Sequence, residues 1–278
     1  MKRLNTVVSP KIERNRRAVM RPEAIRQLIV IHLLFLVFTI GGCRREVTTN
    51  RHEVNQAQLQ NVSMKEKEAL DRKKRSMAQL RAERIPVNEG LPIIEIESEA
   101  KFRSTEQVAL RAMALCVVAS RAEGLDENMT KKLIADFRLS ETLTPKEKEF
   151  MFNPNPSAHD RSQFVWRYEC CWALLWALGF VEDLKTPNSI CDVQLVVRII
   201  RDHGRDDFLK KARLRSKAEI LDTTDLVYRY HWAVRDAQLN GRKSPTGLNP
   251  DVVMERHYVL NWLLGYLGQE WDDVSTDT

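Results

Sequence analysis

The chain has 278 residues, of which 43% are hydrophobic and 29% charged, with ten glycines and ten prolines. This composition excludes a collagen-like, low-complexity or wholly disordered chain, so most of the sequence is expected to fold. The net charge of +6 comes from residues 1–27, which hold eight basic and two acidic residues, because the rest of the chain has 36 of each sign. A nucleic-acid-binding protein needs a net basic surface, so we predict no nucleic-acid partner.

Residues 1–42 have the pattern of an export signal. A basic leader precedes the run LIVIHLLFLVFTI (residues 28–40), which is too short to span a bilayer comfortably but fits the apolar part of a secretory signal. Gly41, Gly42 and Cys43 follow. This order resembles the bacterial lipoprotein signal, in which cleavage falls just before a cysteine that receives the lipid. Cys43 is therefore the predicted lipid-attachment site.

This interpretation places the protein in the cell envelope, anchored to a membrane through the lipid, with its folded part outside the cytoplasm. Translation starts at Met1 or Met20, and a start at Met20 leaves a basic leader of ordinary length. Two alternatives stay open: an uncleaved anchor helix with its positive end inside, and a soluble protein whose gene start is placed too early.

Residues 43–97 are predicted to form a polar tether that holds the domain away from the membrane. They are rich in charged residues and glutamine, and their apolar positions never keep a heptad. A flexible or helical tether is therefore favoured over a partner-binding coiled coil. Near its end, Pro86 and Pro92 break any helix, and the alternation of Ile94 and Ile96 predicts a short strand or extended strip.

Residues 98–278 are predicted to form a single all-α domain of six to seven helices. Capping residues mark the helix starts: Ser104 is followed by Gln107, and Thr144 is followed by Pro145 and Glu147. Helices are predicted over residues 104–119, 161–178, 192–202, 216–239 and 249–264, and a further helix is predicted to start at residue 144. The helix at 161–178 is apolar on nearly every side, which indicates the middle of a bundle.

Three segments of this domain are similar to a known family. They are WRYECCWALLWALGF, DLVYRYHWAVRDAQLNG and VVMERHYVLNWLLGYLGQEWDDVSTDT, in this order along residues 101–278. Together they resemble the bacterial family of domains of unknown function numbered 4272. The resemblance implies a helical domain, and it implies no activity because the family has none assigned.

Charged residues within these apolar helices are candidates for a buried network. Asp225 shares a helix face with apolar residues, Arg256 falls among the apolar positions of the last helix, and Glu169 lies in the most apolar helix. An unpaired buried carboxylate is costly, so each should have a partner. We predict that Glu169 or Asp225 contacts Arg256 or Arg229.

Catalytic and metal-binding interpretations have weaker support. His231 and His257 lie on separate helices, and the spacings of His231 from Asp225 and of His257 from Glu255 put the two members of each pair on different helix faces. Neither the histidines nor the cysteines have the spacing of a zinc site, so no metal and no cofactor is predicted. Adjacent Cys170 and Cys171 are interpreted as core residues, whereas pairing of Cys116 with Cys191 is left open.

The sequence thus predicts a membrane-anchored helical module that binds an unknown protein partner or ligand, with no catalysis assigned. The alternative is a hydrolase that uses the histidine, aspartate, glutamate and arginine side chains of the three similar segments. A basic stretch, KKARLRSK (residues 210–217), is interpreted as a solvated helix end, with contact to anionic lipid headgroups as the alternative.

Overall fold

The computed structural model describes residue 64 and residues 66–278, so the predicted signal segment and Cys43 lie outside the described residues. All regular secondary structure in the described part is helical, and the predicted all-α fold is confirmed. The helices are α1 (residues 66–82), α2 (Thr105–Glu123), α3 (Glu127–Asp136), α4 (Pro145–Phe152), α5 (Ala158–Val165), α6 (Arg167–Ala177), α7 (Val193–Lys211), α8 (Lys217–Leu239) and α9 (Pro250–Leu264).

The centre of the fold is α6, whose residues are all buried except Arg167. A helix that is apolar on every side needs neighbours on every side, and α6 contacts α2, α9 and α7. On its far side α9 packs along α8, and α8 in turn contacts α1 through a smaller apolar cluster around Leu80 and Tyr230. The helices α8 and α9 therefore connect the main core to the amino-terminal helix.

Local sequence signals explain where several helices start and end. The capping boxes predicted at Ser104 and Thr144 are present, and further boxes at Ser157 and Ser216 start α5 and α8. In each box a hydroxyl accepts the backbone N–H of the third helical residue, which satisfies one amide that the first turn leaves unpaired. The start of α9 is capped by the Asn249 side chain.

Two predicted helices differ from the observed ones. The segment at 161–178 forms two helices that meet at Trp166. There the Glu169 amide donates to the Trp166 carbonyl, only three residues earlier (2.9 Å), and this turn is tighter than that of an α-helix. No residue of α5 is buried, whereas α6 enters the core. The helix predicted to end at residue 202 continues as α7 to Lys211, and its regular conformation is interrupted only at Gly204, where φ is 60°.

The amino-terminal boundary of the domain also differs from the prediction. Residues 66–82 form a helix that buries Arg72 and Leu80, and Ile85 joins the same apolar cluster. The described part of the predicted tether thus packs against the helical domain, which starts before residue 98. The predicted strip around Ile94 has no regular secondary structure.

Two further findings concern the anchor and the cysteines. Among the described residues, no helix combines the length and the hydropathy that a membrane span requires. The four cysteines of the domain (Cys116, Cys170, Cys171 and Cys191) are all buried free thiols, so Cys116 and Cys191 are not paired in this structure.

Gly265 allows α9 to end against the segment that precedes α2. It has a left-handed conformation (φ 65°), and the neighbouring Leu264 carbonyl accepts the Lys101 amide (2.9 Å). A Cβ atom at Gly265 would lie 2.6 Å from the Lys101 carbonyl oxygen. At Gly241 the conformation is nearly the same (φ 63°), but a Cβ would meet nothing within 4 Å.

We expect Gly265→Ala to destabilise the domain more than Gly241→Ala. Both variants carry the strain of a left-handed non-glycine residue, about 1–3 kcal/mol, and only the first adds a steric clash with backbone. Urea unfolding of the two variants, followed by circular dichroism, measures the difference. Equal losses in the free energy of unfolding would show that the close approach of residue 265 to Lys101 does not add to the destabilisation.

Candidate functional site

Asp225 and Arg229 form a buried ion pair on one face of α8. They lie one helical turn apart, and the Arg229 Nε and Nη2 atoms donate to the two carboxylate oxygens at 2.8 and 2.7 Å. Arg229 also donates to the carbonyl of Pro92 (3.2 Å). The pair therefore neutralises both charges and attaches the segment around residue 92 to α8.

Glu169 and Arg256 form a second, looser pair between α6 and α9. The closest oxygen and nitrogen are 3.7 Å apart, and neither of these two atoms has a hydrogen-bond partner among the described residues. Glu169 instead accepts the backbone N–H of Cys191, and Arg256 donates to the Lys185 carbonyl (2.7 Å). Burial raises the pKa of Glu169 and lowers the pKa of Arg256, so desolvation opposes the charged form of both partners.

Glu255 has a different partner from those considered in the sequence. Its carboxylate accepts from Arg167 (2.7 Å) and from the Cys170 thiol (2.9 Å). Burial raises the pKa of Cys170, so its thiol keeps its proton and serves as a hydrogen-bond donor. The Arg167 guanidinium also lies over the Tyr258 ring, 5.0 Å from its centroid.

His231 and His257 meet between α8 and α9. Their Nδ1 atoms are 2.8 Å apart, and the two residues are only 4% and 2% exposed. Burial lowers the pKa of His231 to about 4 and that of His257 to about 3, and for His257 the other histidine adds to the effect. Both rings are therefore neutral at pH 7, and one Nδ1–H donates to the other Nδ1.

The seven candidate residues thus form separate sets and not one network. Asp225 pairs with Arg229, Glu169 with Arg256, Glu255 with Arg167, and His231 with His257. Within the described residues, no group of three or more histidine, cysteine, aspartate or glutamate side chains is arranged to hold a metal ion.

His257 lies in the wall of a cavity of about 530 Å³. The cavity is formed by four parts of the chain: the segment before α2, helix α8, helix α9 and the residues that follow α9. Ligand sites commonly have volumes of about 300–1,000 Å³ and a largely apolar lining with a few polar groups. The lining residues are Pro92, Ile93, Ile94, Glu95, Ile96, Glu99, Thr224, Tyr228, His257, Asn261, Tyr266, Asp277 and Thr278.

Interactions with neighbouring elements hold the walls of this cavity in place. Arg72, a nearly unexposed residue of α1, pairs with Glu68 and Asp222 and donates to the Glu95 carbonyl (3.3 Å). On the opposite wall, Asn261 donates to the Ser275 carbonyl (2.9 Å) and fixes the segment after α9. His231, on the other side of the histidine pair, lines a separate cavity of about 340 Å³.

The comparisons with known proteins give one finding. The family model for a domain of unknown function (DUF4272) matches residues 72–274, which is most of the chain. The chain belongs to the DUF4272 family. No curated protein and no solved structure matches it. The match starts at Arg72 in α1, so the DUF4272 domain includes residues 72–82 of the helix that the sequence interpretation assigned to the tether.

Sequence reasoning missed three charged residues that are central to the DUF4272 domain. Arg72 is one, and Arg111 is another: it is buried on α2 and donates to both carboxylate oxygens of Glu147. Arg167, which pairs with Glu255, is the third. The signal for Arg111 was present, because it occupies a position among the apolar residues of α2 in the same way that Arg256 does on α9.

We expect Asp225→Asn to destabilise the DUF4272 domain by about 3–5 kcal/mol, because the change leaves the buried Arg229 charge without its carboxylate. Glu127→Gln is the matched control: it also turns a carboxylate into an amide, but in an exposed pair with Lys131 one helical turn away. Urea unfolding of the three proteins measures the free energy of unfolding. A similar loss in both variants would contradict the importance of burial.

Proposed function

We propose that this DUF4272 protein is a membrane-anchored lipoprotein whose helical domain binds a ligand in the cavity lined by His257. The supporting observation is the cavity itself: it is large enough for a small molecule or a partner's side chain, and it has a nearly fully buried, neutral histidine in its wall. A concave site that combines apolar side chains with polar groups is typical of binding sites. The occupant gains contact area from the isoleucines and orientation from the polar groups.

The geometry favours binding over acid–base catalysis. A hydrolase needs a base, an acid and an orienting group around one open space. Of the seven candidate residues, His257 is the only one that lines this cavity, and its Nδ1 atom is engaged with His231 and not with an orienting carboxylate, whereas Asp225, Glu169 and Glu255 are each paired with an arginine. A neutral histidine that resists protonation suits the recognition of a hydrogen-bonding group.

The membrane attachment in this proposal rests on the sequence pattern before Cys43. The apolar run and the two glycines supply what a signal peptidase and a lipid-transfer enzyme require, and the cysteine supplies the thiol. A binding domain held this way samples its ligand at the membrane surface.

The anchor is tested by growing cells with an alkyne-labelled fatty acid. We expect wild type to incorporate the label and to sediment with membranes, and Cys43→Ala to lose both properties because the attachment thiol is gone. Cys116→Ala is the control, since this cysteine is buried in the domain and should not affect labelling. Equal labelling of wild type and Cys43→Ala would exclude lipidation at this residue.

Binding in the cavity is tested by cross-linking in cells. A photoreactive phenylalanine analogue replaces Tyr266, which lines the cavity, or Phe152, which is 52% exposed on α4 and does not line it. After irradiation of cells that carry the full chain, we expect an adduct at position 266 and none at 152. The mass of the adduct tells a small molecule from a protein partner. No adduct at 266, or equal adducts at both positions, would refute binding in the cavity.

A further inference from the structure

The charged groups in the cavity lining are all of one sign. Glu95, Glu99 and Asp277 line the cavity, and no lysine or arginine is among its lining residues in the described part of the chain. None of the three carboxylates forms a salt bridge with another described residue. A cleft with charges of one sign concentrates ions of the opposite sign, so this cavity attracts cations.

The nearby arginines do not neutralise these carboxylates, because they are engaged elsewhere. Arg229 holds Asp225 and the Pro92 carbonyl, whereas Arg72 holds two other carboxylates and reaches only the backbone of Glu95. The arginines therefore position the acidic wall and leave the Glu95 side chain without an ion-pair partner.

Tyr266 lines the same cavity as the three acidic groups. Burial raises the pKa of its phenol, and the charges of Asp277 and Glu95 raise it further. An aromatic ring beside carboxylates attracts a cation both through its face and through the charges. Ile93, Ile94 and Ile96 line the same cavity and offer contact to an apolar chain.

His257 supplies an independent polar contact in the wall. It is 2% exposed, and its Nδ1 atom is engaged with His231, whereas no described residue forms a hydrogen bond with its Nε2 atom. When His257 Nδ1–H donates to His231, the His257 Nε2 atom is a hydrogen-bond acceptor. A cation that carries N–H groups satisfies this acceptor, whereas a bare alkylated cation does not.

From these four features we infer that the cavity binds an organic cation with a primary ammonium group on an apolar chain. The inference rests on the proposed function and adds the chemical class of the ligand. The ammonium group lies between Glu95, Asp277 and Tyr266, donates to His257 Nε2, and its chain contacts the isoleucines.

The test is calorimetric titration of the full chain in neutral detergent with 1,5-diaminopentane. Its matched probes are glutarate, with five carbons and two negative charges, and the hexamethylated diammonium analogue, which has no N–H group. We expect binding of the diamine, weaker binding of the methylated analogue, and no binding of glutarate. Binding of glutarate, or absence of heat with the diamine, overturns the inference.

Variants identify the site. The double variant Glu95→Gln/Asp277→Asn should raise the Kd of the diamine at least about tenfold, because it removes two charges from the wall. The control Glu127→Gln/Asp136→Asn removes the same charge from α3, away from the cavity, and should leave the Kd within about twofold. Equal effects of the two double variants overturn the inference, and so does binding of Ca²⁺ that displaces the diamine.

The two proposals fail in different ways. An adduct at position 266 in cells, combined with no binding of the diamine, retains a ligand site and rejects the cationic ligand. Absence of both the adduct and diamine binding rejects the site itself.

Discussion

Four of the buried arginines in the described part of the chain, Arg72, Arg111, Arg229 and Arg256, each link a carboxylate to a backbone carbonyl outside the helices. A buried guanidinium must be paired, and its five N–H donors exceed what one carboxylate accepts, so each of the four also donates to a carbonyl, while one of its nitrogens has no hydrogen-bond partner among the described residues. The carbonyls belong to Glu95 for Arg72, Thr142 for Arg111, Pro92 for Arg229 and Lys185 for Arg256. The connecting segments thus owe their positions to charged groups on the helices.

This arrangement explains why polar groups are retained in the interior. A buried ion pair is often no more stabilising than apolar residues of the same volume, because desolvation offsets the attraction. An apolar replacement would keep the helices packed, but it would leave the carbonyls of Pro92 and Glu95 without donors. The segment around residues 92–95 of the cavity wall has no regular secondary structure, so helix packing does not hold it in place. Arg72 and Arg229 hold it instead, through their hydrogen bonds to the carbonyls of Glu95 and Pro92.

Features that depend on residues close together in the sequence could be predicted, whereas features that depend on contacts between distant segments could not. The capping residues at Ser104 and Thr144 and the pair of Asp225 with Arg229, one turn apart, follow from spacing along one helix. The packing of helix α1 against the domain escaped prediction because its buried face, residues 69, 72, 76 and 80, includes an arginine and a serine, which hide the apolar periodicity. The choice of Arg167 as the partner of Glu255, and the meeting of residues 94, 228 and 257 around one cavity, depend on how helices pack and leave no trace in local spacing.

The histidine pair connects two spaces that the rest of the packing keeps apart. Because both rings are neutral and share one Nδ1–H, one ring has a hydrogen on Nε2 and the other does not. His257 lines one cavity and His231 lines the other, so a donor at His257 Nε2 requires that His231 carry its hydrogen on Nε2. If a ligand in the first cavity donates to His257 Nε2, the hydrogen-bonding character of the second cavity follows from that ligand, without any movement of the helices.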